Sequence, residues 1–237
     1  MILGMNKQDF SVVFIPGFML DESLWDDVVQ MLPAHFNVYK VSLQQGNTIE
    51  EIAEHIVKNL PSQFVLVGFS LGGYVARSIV RLFPDKVSAL VLIASSLRTD
   101  TEEQKNRKLT AIKLTSKEHF KGLSSKVISK TLHPTQEKNN ILIQRIQKMG
   151  KQMGYDSFVT QSLLNRDDYE SSRIKCPTLI ISGEQDTIRS YEEGIELFNE
   201  IPCSTFEVIE NTGHMIPLEQ PLKLSTSILK WLNTIDL

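Results

Sequence analysis

Three residues of this chain have the types, the order and the settings that nucleophilic catalysis needs. Ser70 stands in Gly68-Phe69-Ser70-Leu71-Gly72, Asp186 follows Gly183-Glu184-Gln185, and His214 follows Glu210-Asn211-Thr212-Gly213. A serine hydroxyl is a weak nucleophile at neutral pH. It attacks an acyl carbon only with a base in hydrogen-bond reach, and that base needs an acid to hold one tautomer. Of five histidines, His214 is the one set on a loop leaving a predicted strand. His35, His55, His119 and His133 lie in helical or pre-strand contexts and read as surface or satisfied side chains. Glu184 is a nearby alternative to Asp186 as the acid, and Asp156 or Asp100 could serve only from the middle of the chain. A loop aspartate is also a common turn former.

The elements around these residues decide between chemistry and a plain turn. A G-x-S-x-G string also arises by chance in glycine-rich strand-to-helix connections. Here Phe64 to Val67 is a continuous apolar run, as expected for a parallel strand covered on both faces. From Leu71 the apolar residues recur at Val75, Ile79 and Phe83, a helical face that Pro84 ends. A serine on so sharp a turn has strained backbone angles, and Gly68 and Gly72 remove Cβ atoms that would block the close approach of the chain. The N–H of Leu71 then faces any anion formed beside Ser70, helped by the dipole of the helix that follows.

Taken in order, the chain alternates strands and helices. Strands are predicted at Ser11–Ile15, Phe36–Ser42, the Phe64 run, Val87–Ser95, Pro177–Ser182 and Thr205–Ile209. Helices are predicted at Glu22–Leu32, Thr48–Asn59 and after Leu71, with a final helix ending near Ile235. Right-handed crossovers between such units call for an α/β fold, a doubly wound and mostly or wholly parallel sheet of about six strands. From Arg98 to Arg173 the rhythm breaks into helical patches, with apolar parts at Val127–Leu132 and Ile141–Met149. The expected organisation is a core of residues 1–97 and 174–237, and an inserted helical lid, 98–173, over the carboxyl ends of the strands. Sheets of this kind bind their ligands there.

The motifs GFSLGG, GEQD and GHMIPLEQP, in the order serine, acid, histidine, resemble those of the α/β-hydrolases. The resemblance runs from about Ser11 to Trp231, and is greatest to small bacterial esterases with a helical lid, among them carboxylesterases acting on pimeloyl-carrier-protein methyl ester. It implies a triad of Ser70, Asp186 and His214, with oxyanion donors in the backbone N–H groups of Leu71 and Phe18. The ten residues before Ser11 are too few for the antiparallel hairpin that many relatives carry, so a trimmed, all-parallel sheet is expected. Two departures stand out. Pro16-Gly17 occupies the place of a common His-Gly pair, and Leu43-Gln44-Gln45-Gly46-Asn47 replaces the usual Gly-x-Gly-x-Ser turn. Apolar candidates for the substrate pocket are Phe18, Met19, Trp25, Phe69, Leu97, Ile188 and Met215.

Composition sets the outer limits. A chain of 237 residues with 41 % apolar and 22 % charged residues suits one α/β domain with an insertion. The net charge of −3 gives no whole-chain reason for nucleic-acid or membrane binding. Met1 to Phe10 has no apolar leader core, no apolar run has the length of a membrane span, and the expected location is cytoplasmic. Cys176 and Cys203 each precede a predicted strand, so parallel neighbours would bring them near each other; free thiols are expected. Neither has metal-type spacing, and no metal or cofactor is expected. Segment 98–173 holds fifteen Lys and Arg against nine Asp and Glu, an excess that the acidic remainder outweighs. That basic face either complements an acidic core or docks an acidic acyl carrier.

The leading function is therefore hydrolysis of a small carboxylic ester through an acyl-enzyme. Thioester, carbon–carbon bond and lactone hydrolases and cofactor-free peroxidising enzymes use the same apparatus, and a non-catalytic ligand-binding shell could keep the fold. A dehalogenase would place an aspartate where Ser70 stands.

Overall fold

The computed structural model describes residues 10–167 and 171–235; apart from Phe10, the amino-terminal stretch read above for a leader lies outside them. Six strands form one sheet: β1 (Ser11–Ile15), β2 (Asn37–Lys40), β3 (Phe64–Phe69), β4 (Val87–Ile93), β5 (Thr178–Gly183) and β6 (Ser204–Ile209). Every pairing is parallel, in the order β2-β1-β3-β4-β5-β6. The expected all-parallel sheet is what the chain forms.

Alternation along the strands explains the two-sided core. Val12, Phe14, Val65, Val67, Val91, Ile93 and Ile181 point to one face, while Val13, Ile15, Leu66, Leu90, Leu92 and Ile180 point to the other. The first face is covered by a single 3-10 turn (Glu22–Trp25), by α1 (Asp26–Val29) and by the last helix. The second is covered by α2 (Ile49–Val57), which Thr48 caps through the Glu51 N–H, and by α3 (Leu71–Leu82).

The first helix and β2 are among the elements shorter than their sequence patterns suggest. The helix expected over Glu22–Leu32 is a 3-10 turn followed by one α turn. Asp26, Asp27, Val28 and Val29 are weak helix formers, and the chain goes on to Leu32 through tight bonds such as Leu32 N–H to the Val29 carbonyl (3.1 Å). Strand β2 starts at Asn37 because the Phe36 N–H is turned back onto the Pro33 carbonyl at 3.0 Å.

Between β4 and β5 the described residues form no strand. They form α4 (Glu102–Leu114), α5 (Ser125–Ser129) and α6 (Asn140–Leu163), with short 3-10 turns. Their attachment is uneven. Helix α6 buries Ile143, Ile146, Met149, Met153 and Phe158 among other residues, and each apolar side chain so buried contributes about 1.5–3 kcal/mol. Helix α4 buries none of its residues. Its capping box and its i,i+3 pair Lys105–Glu102 supply only about 0.3–1 kcal/mol apiece, so α4 is the more easily displaced. Helix α6 bends sharply at Gly154, whose φ of 79° only glycine adopts without strain.

After β5 come α7 (Tyr191–Glu200), β6, α8 (Ile216–Glu219) and α9 (Pro221–Leu232), which ends three residues before the expected stop. The thiols of Cys176 and Cys203 are free and flank neighbouring strands, the Thr178 N–H meeting the Cys203 carbonyl at 2.9 Å. Burial pushes the Cys176 thiol up to about 11. No described helix is long and apolar enough to cross a membrane.

Candidate active site

Strand order reverses between β1 and β3, both of which begin from the middle of the sheet; at their carboxyl ends lie Pro16-Gly17 and Ser70. This is the switch point where open parallel sheets bind ligands. Ser70 has φ 52° and ψ −112°, a conformation costing on the order of 1–3 kcal/mol for a residue with a Cβ. The surroundings enforce it. The Ser70 N–H donates to the Ile93 carbonyl at 2.8 Å, and its carbonyl accepts from the Ser95 hydroxyl at 3.1 Å. A Cβ on Gly68 would lie 2.6 Å from the Gly72 carbonyl, and one on Gly72 would lie 2.4 Å from the Pro16 carbonyl. Both glycines are required by backbone approach.

The three candidate residues meet although 144 positions separate the first from the last. His214 Nε2 lies 3.0 Å from Ser70 Oγ, and His214 Nδ1 lies 2.8 Å from Asp186 Oδ2. The other Asp186 oxygen accepts the N–H groups of Ile188 and Arg189 at 2.8 and 2.9 Å. One oxygen is thus held by the backbone and the other is left for the imidazole. Ser70, Asp186 and His214 are 9, 8 and 6 % exposed, so their hydrogen bonds compete little with water. The alternative acids lie elsewhere. Glu184 is exposed and bonds Gln185 and the Asn211 N–H, Asp156 pairs with Lys117, and Asp100 pairs with Lys108 and Arg166.

A family model for the alpha/beta hydrolase fold matches residues 48–221. The chain belongs to that family. It is 36 % identical over 93 residues to a pimeloyl-[acyl-carrier protein] methyl ester esterase of Citrobacter koseri, a match covering 36 % of each chain. To the protein of the same name from Wigglesworthia glossinidia brevipalpis it is 28 % identical over 196 residues, 75 % of each. The matched stretch thus spans about a third of the first relative's length and three quarters of the second's. Among solved structures, a thermophilic esterase from Thermogutta terrifontis with malate bound superposes with a TM-score of 0.82 at 26 % identity, over 95 % of this chain and 90 % of that one.

In this α/β-hydrolase the loop after β1 is a tight turn. The Leu20 N–H returns to the Gly17 carbonyl at 3.2 Å, and Met19 takes φ 56°. Among the described residues no acceptor meets the N–H of Phe18 or that of Leu71, the first residue of α3. The pocket candidates divide. Trp25, Phe69 and Met215 share one apolar cluster with Ile128, Leu132, Ile143, Ile146 and Met149 of the inserted helices. The Phe69 ring lies 5.1 Å from that of His214. Met19 joins Met153 and Phe158 above, with Phe18 half-buried against Phe158 at 6.2 Å. Leu97 instead packs on the cluster across the sheet, and Ile188 is 45 % exposed. Phe18 packs on that same second cluster, and the Ile188 N–H, not its side chain, serves Asp186.

Two residues of consequence carry no catalytic signature in the sequence. Glu219 accepts the N–H groups of Gly213 and Met215, on either side of His214, at 3.1 and 3.2 Å, and that of His133 at 2.6 Å. Burial raises its carboxyl above the usual carboxylate range, against the pull of these three donors. Its place in GHMIPLEQP was the available signal. Gln161 on α6 accepts the Met19 N–H, and nothing local in its sequence marks it. His133, set aside as a surface histidine, takes part through its backbone, while its ring accepts from the Thr135 N–H.

Proposed function

We propose that this protein is a serine hydrolase cleaving a carboxylic ester through an acyl-enzyme. The observation that carries the reading is the chain of hydrogen bonds Ser70–His214–Asp186, assembled from three strand ends and shielded from water. Ser70 Oγ attacks the ester carbonyl while His214 Nε2 takes its proton. His214 then protonates the departing alkoxide, and a water activated by the same nitrogen releases the acid. Asp186 holds the Nδ1–H tautomer and stabilises the imidazolium. The N–H groups of Phe18 and Leu71 receive the developing oxyanion.

Residues 98–173 act in this reading as a lid. Ser70 is covered, apolar side chains of α5 and α6 join the cluster around Phe69 and Met215, and α4 is weakly held. Trp25, Phe69, Met215, Met19 and Phe18 form the apolar wall that receives the acyl chain. The names of the relatives from Citrobacter and Wigglesworthia, and the basic excess of the lid, support an ester carried by an acidic acyl carrier as the natural substrate.

Labelling with a fluorophosphonate probe tests the activated serine, since a non-catalytic shell of the same fold would not react. A panel of acyl esters, thioesters and lactones of graded length then separates the reaction classes that share this triad. Turnover of esters alone supports the proposal, and selective turnover of a lactone or thioester overturns it.

A further inference from the structure

Helix α6 touches the loop after β1 on both sides of its bend. Before the bend, Gly150 lies against the Met19 carbonyl: a Cβ there would be 3.5 Å from that oxygen. After it, the fully buried side chain of Gln161 reaches Met19 with Oε1 2.8 Å from the N–H. The bend is held in turn by Gln44, in the turn that replaces the glycine-rich one; its Nε2 donates to the Met153 carbonyl at 3.3 Å.

The bond to Met19 has a defined geometric effect. Residues 17–20 form a turn closed by the Leu20 N–H on the Gly17 carbonyl. Its third residue has φ 56°, a position that normally selects glycine and here carries methionine. Left alone, the central peptide unit, Phe18 C=O to Met19 N–H, relaxes by flipping so that Met19 regains a negative φ. Gln161 prevents the flip by holding that N–H. Phe18 is the second residue of the same closed turn, so the bond that anchors Met19 to α6 also fixes where the Phe18 N–H stands.

We propose that Gln161 is a positioning residue for the oxyanion hole. It locks the strained Met19 turn from the inserted helix, so the Phe18 donor is in place only when α6 is seated. This rests on the ester-hydrolase reading above. Gln161 touches no reacting atom in it; the effect passes through the Met19 peptide.

The experiment compares wild type, Gln161→Met and Gln161→Glu on a short neutral p-nitrophenyl ester and with a trifluoromethyl ketone that forms a tetrahedral adduct on serine. Met keeps the length and apolar bulk but has no oxygen acceptor. Glu keeps an acceptor and loses the amide donor, and burial keeps it protonated. For Gln161→Met, kcat falls on the order of 100-fold, the magnitude of a lost oxyanion donor, with KM within about threefold. The ketone weakens by a similar factor. Gln161→Glu recovers to within about tenfold of wild type. Equal impairment of the two variants, or a raised KM at unchanged kcat, overturns the proposal, because the Nε2 donor or ground-state binding then carries the role. A lowered melting temperature with wild-type kcat per labelled serine also overturns it. Hydrogen exchange at the Met19 amide is read in parallel. Protection in wild type and its loss in Gln161→Met are expected even if no ester proves to be a substrate, and an unprotected wild-type amide sinks the inference by itself.

Discussion

The carboxylate of Glu219 meets the backbone N–H of His133 at 2.6 Å, joining the loop that carries His214 to the helical segment at a residue 86 positions earlier. The other Glu219 oxygen holds both neighbours of His214, and the His214 N–H donates to the Thr131 carbonyl at 2.7 Å. The proposed base is thereby fixed in space from two separate parts of the chain.

Glu219→Gln replaces one acceptor oxygen with an NH2 group and leaves a buried N–H without a partner, at a cost of about 1–3 kcal/mol. We expect kcat to fall roughly tenfold with KM little changed, since only the imidazole is displaced. The pH dependence of folding carries a signature as well. Because burial raises the Glu219 carboxyl, the folded protein keeps a proton that the unfolded chain loses near pH ~4.3. Stability from this group is therefore present at low pH and declines as pH rises through the folded value. Denaturant unfolding across the acidic range should show wild type losing stability with pH relative to Glu219→Gln; parallel curves would count against the raised carboxyl.

Ser70→Ala should remove at least about a thousandfold of the rate, leaving what oxyanion donors and binding supply. His214→Gln and Asp186→Asn should follow with intact far-UV circular dichroism. Steady-state turnover of any of these variants at the wild-type rate would remove that residue from the mechanism.

The two thiols should differ in alkylation. Cys176 is half-buried with its thiol pushed up to about 11, whereas Cys203 is exposed. Only thiolate reacts, so at neutral pH the first equivalent of maleimide should enter Cys203, and peptide mapping should find Cys176 modified at least tenfold more slowly. Equal rates would contradict the burial of Cys176.

Salt separates a docking face on residues 98–173 from a merely solvated one. Raising ionic strength from 0.1 to 1 M shortens the Debye length from about 10 to about 3 Å. If the basic excess of residues 98–173 steers an acidic carrier, kcat/KM for a carrier-bound acyl ester should fall several-fold while that for a small neutral ester stays nearly flat. Charge reversal at the exposed Lys113 and Lys121 should act alike. Lys117 is the weaker choice, being already paired with Asp156 at 2.8 Å. Identical salt curves for both substrates would leave the basic face without a partner.

By itself the sequence determined the alternation of strands and helices, the parallel sheet and the three candidate residues, because these depend on local pattern. Buried runs such as Phe64–Val67 have one stable environment, and Gly68 and Gly72 flank a turn that tolerates nothing larger. Tertiary structure alone decided which pieces distant in sequence complete the site. Ile188 and Leu97 looked equivalent to Met215 as apolar neighbours of motifs, yet Ile188 is exposed and Leu97 packs on a different cluster from Met215. Gln161 and Glu219 are ordinary polar helix residues until folding buries them against the Met19 and His214 loops. A hydrogen bond between groups 142 positions apart leaves no periodicity in the chain; it exists only because the sheet, by stacking its strand ends side by side, brings those loops beneath α6.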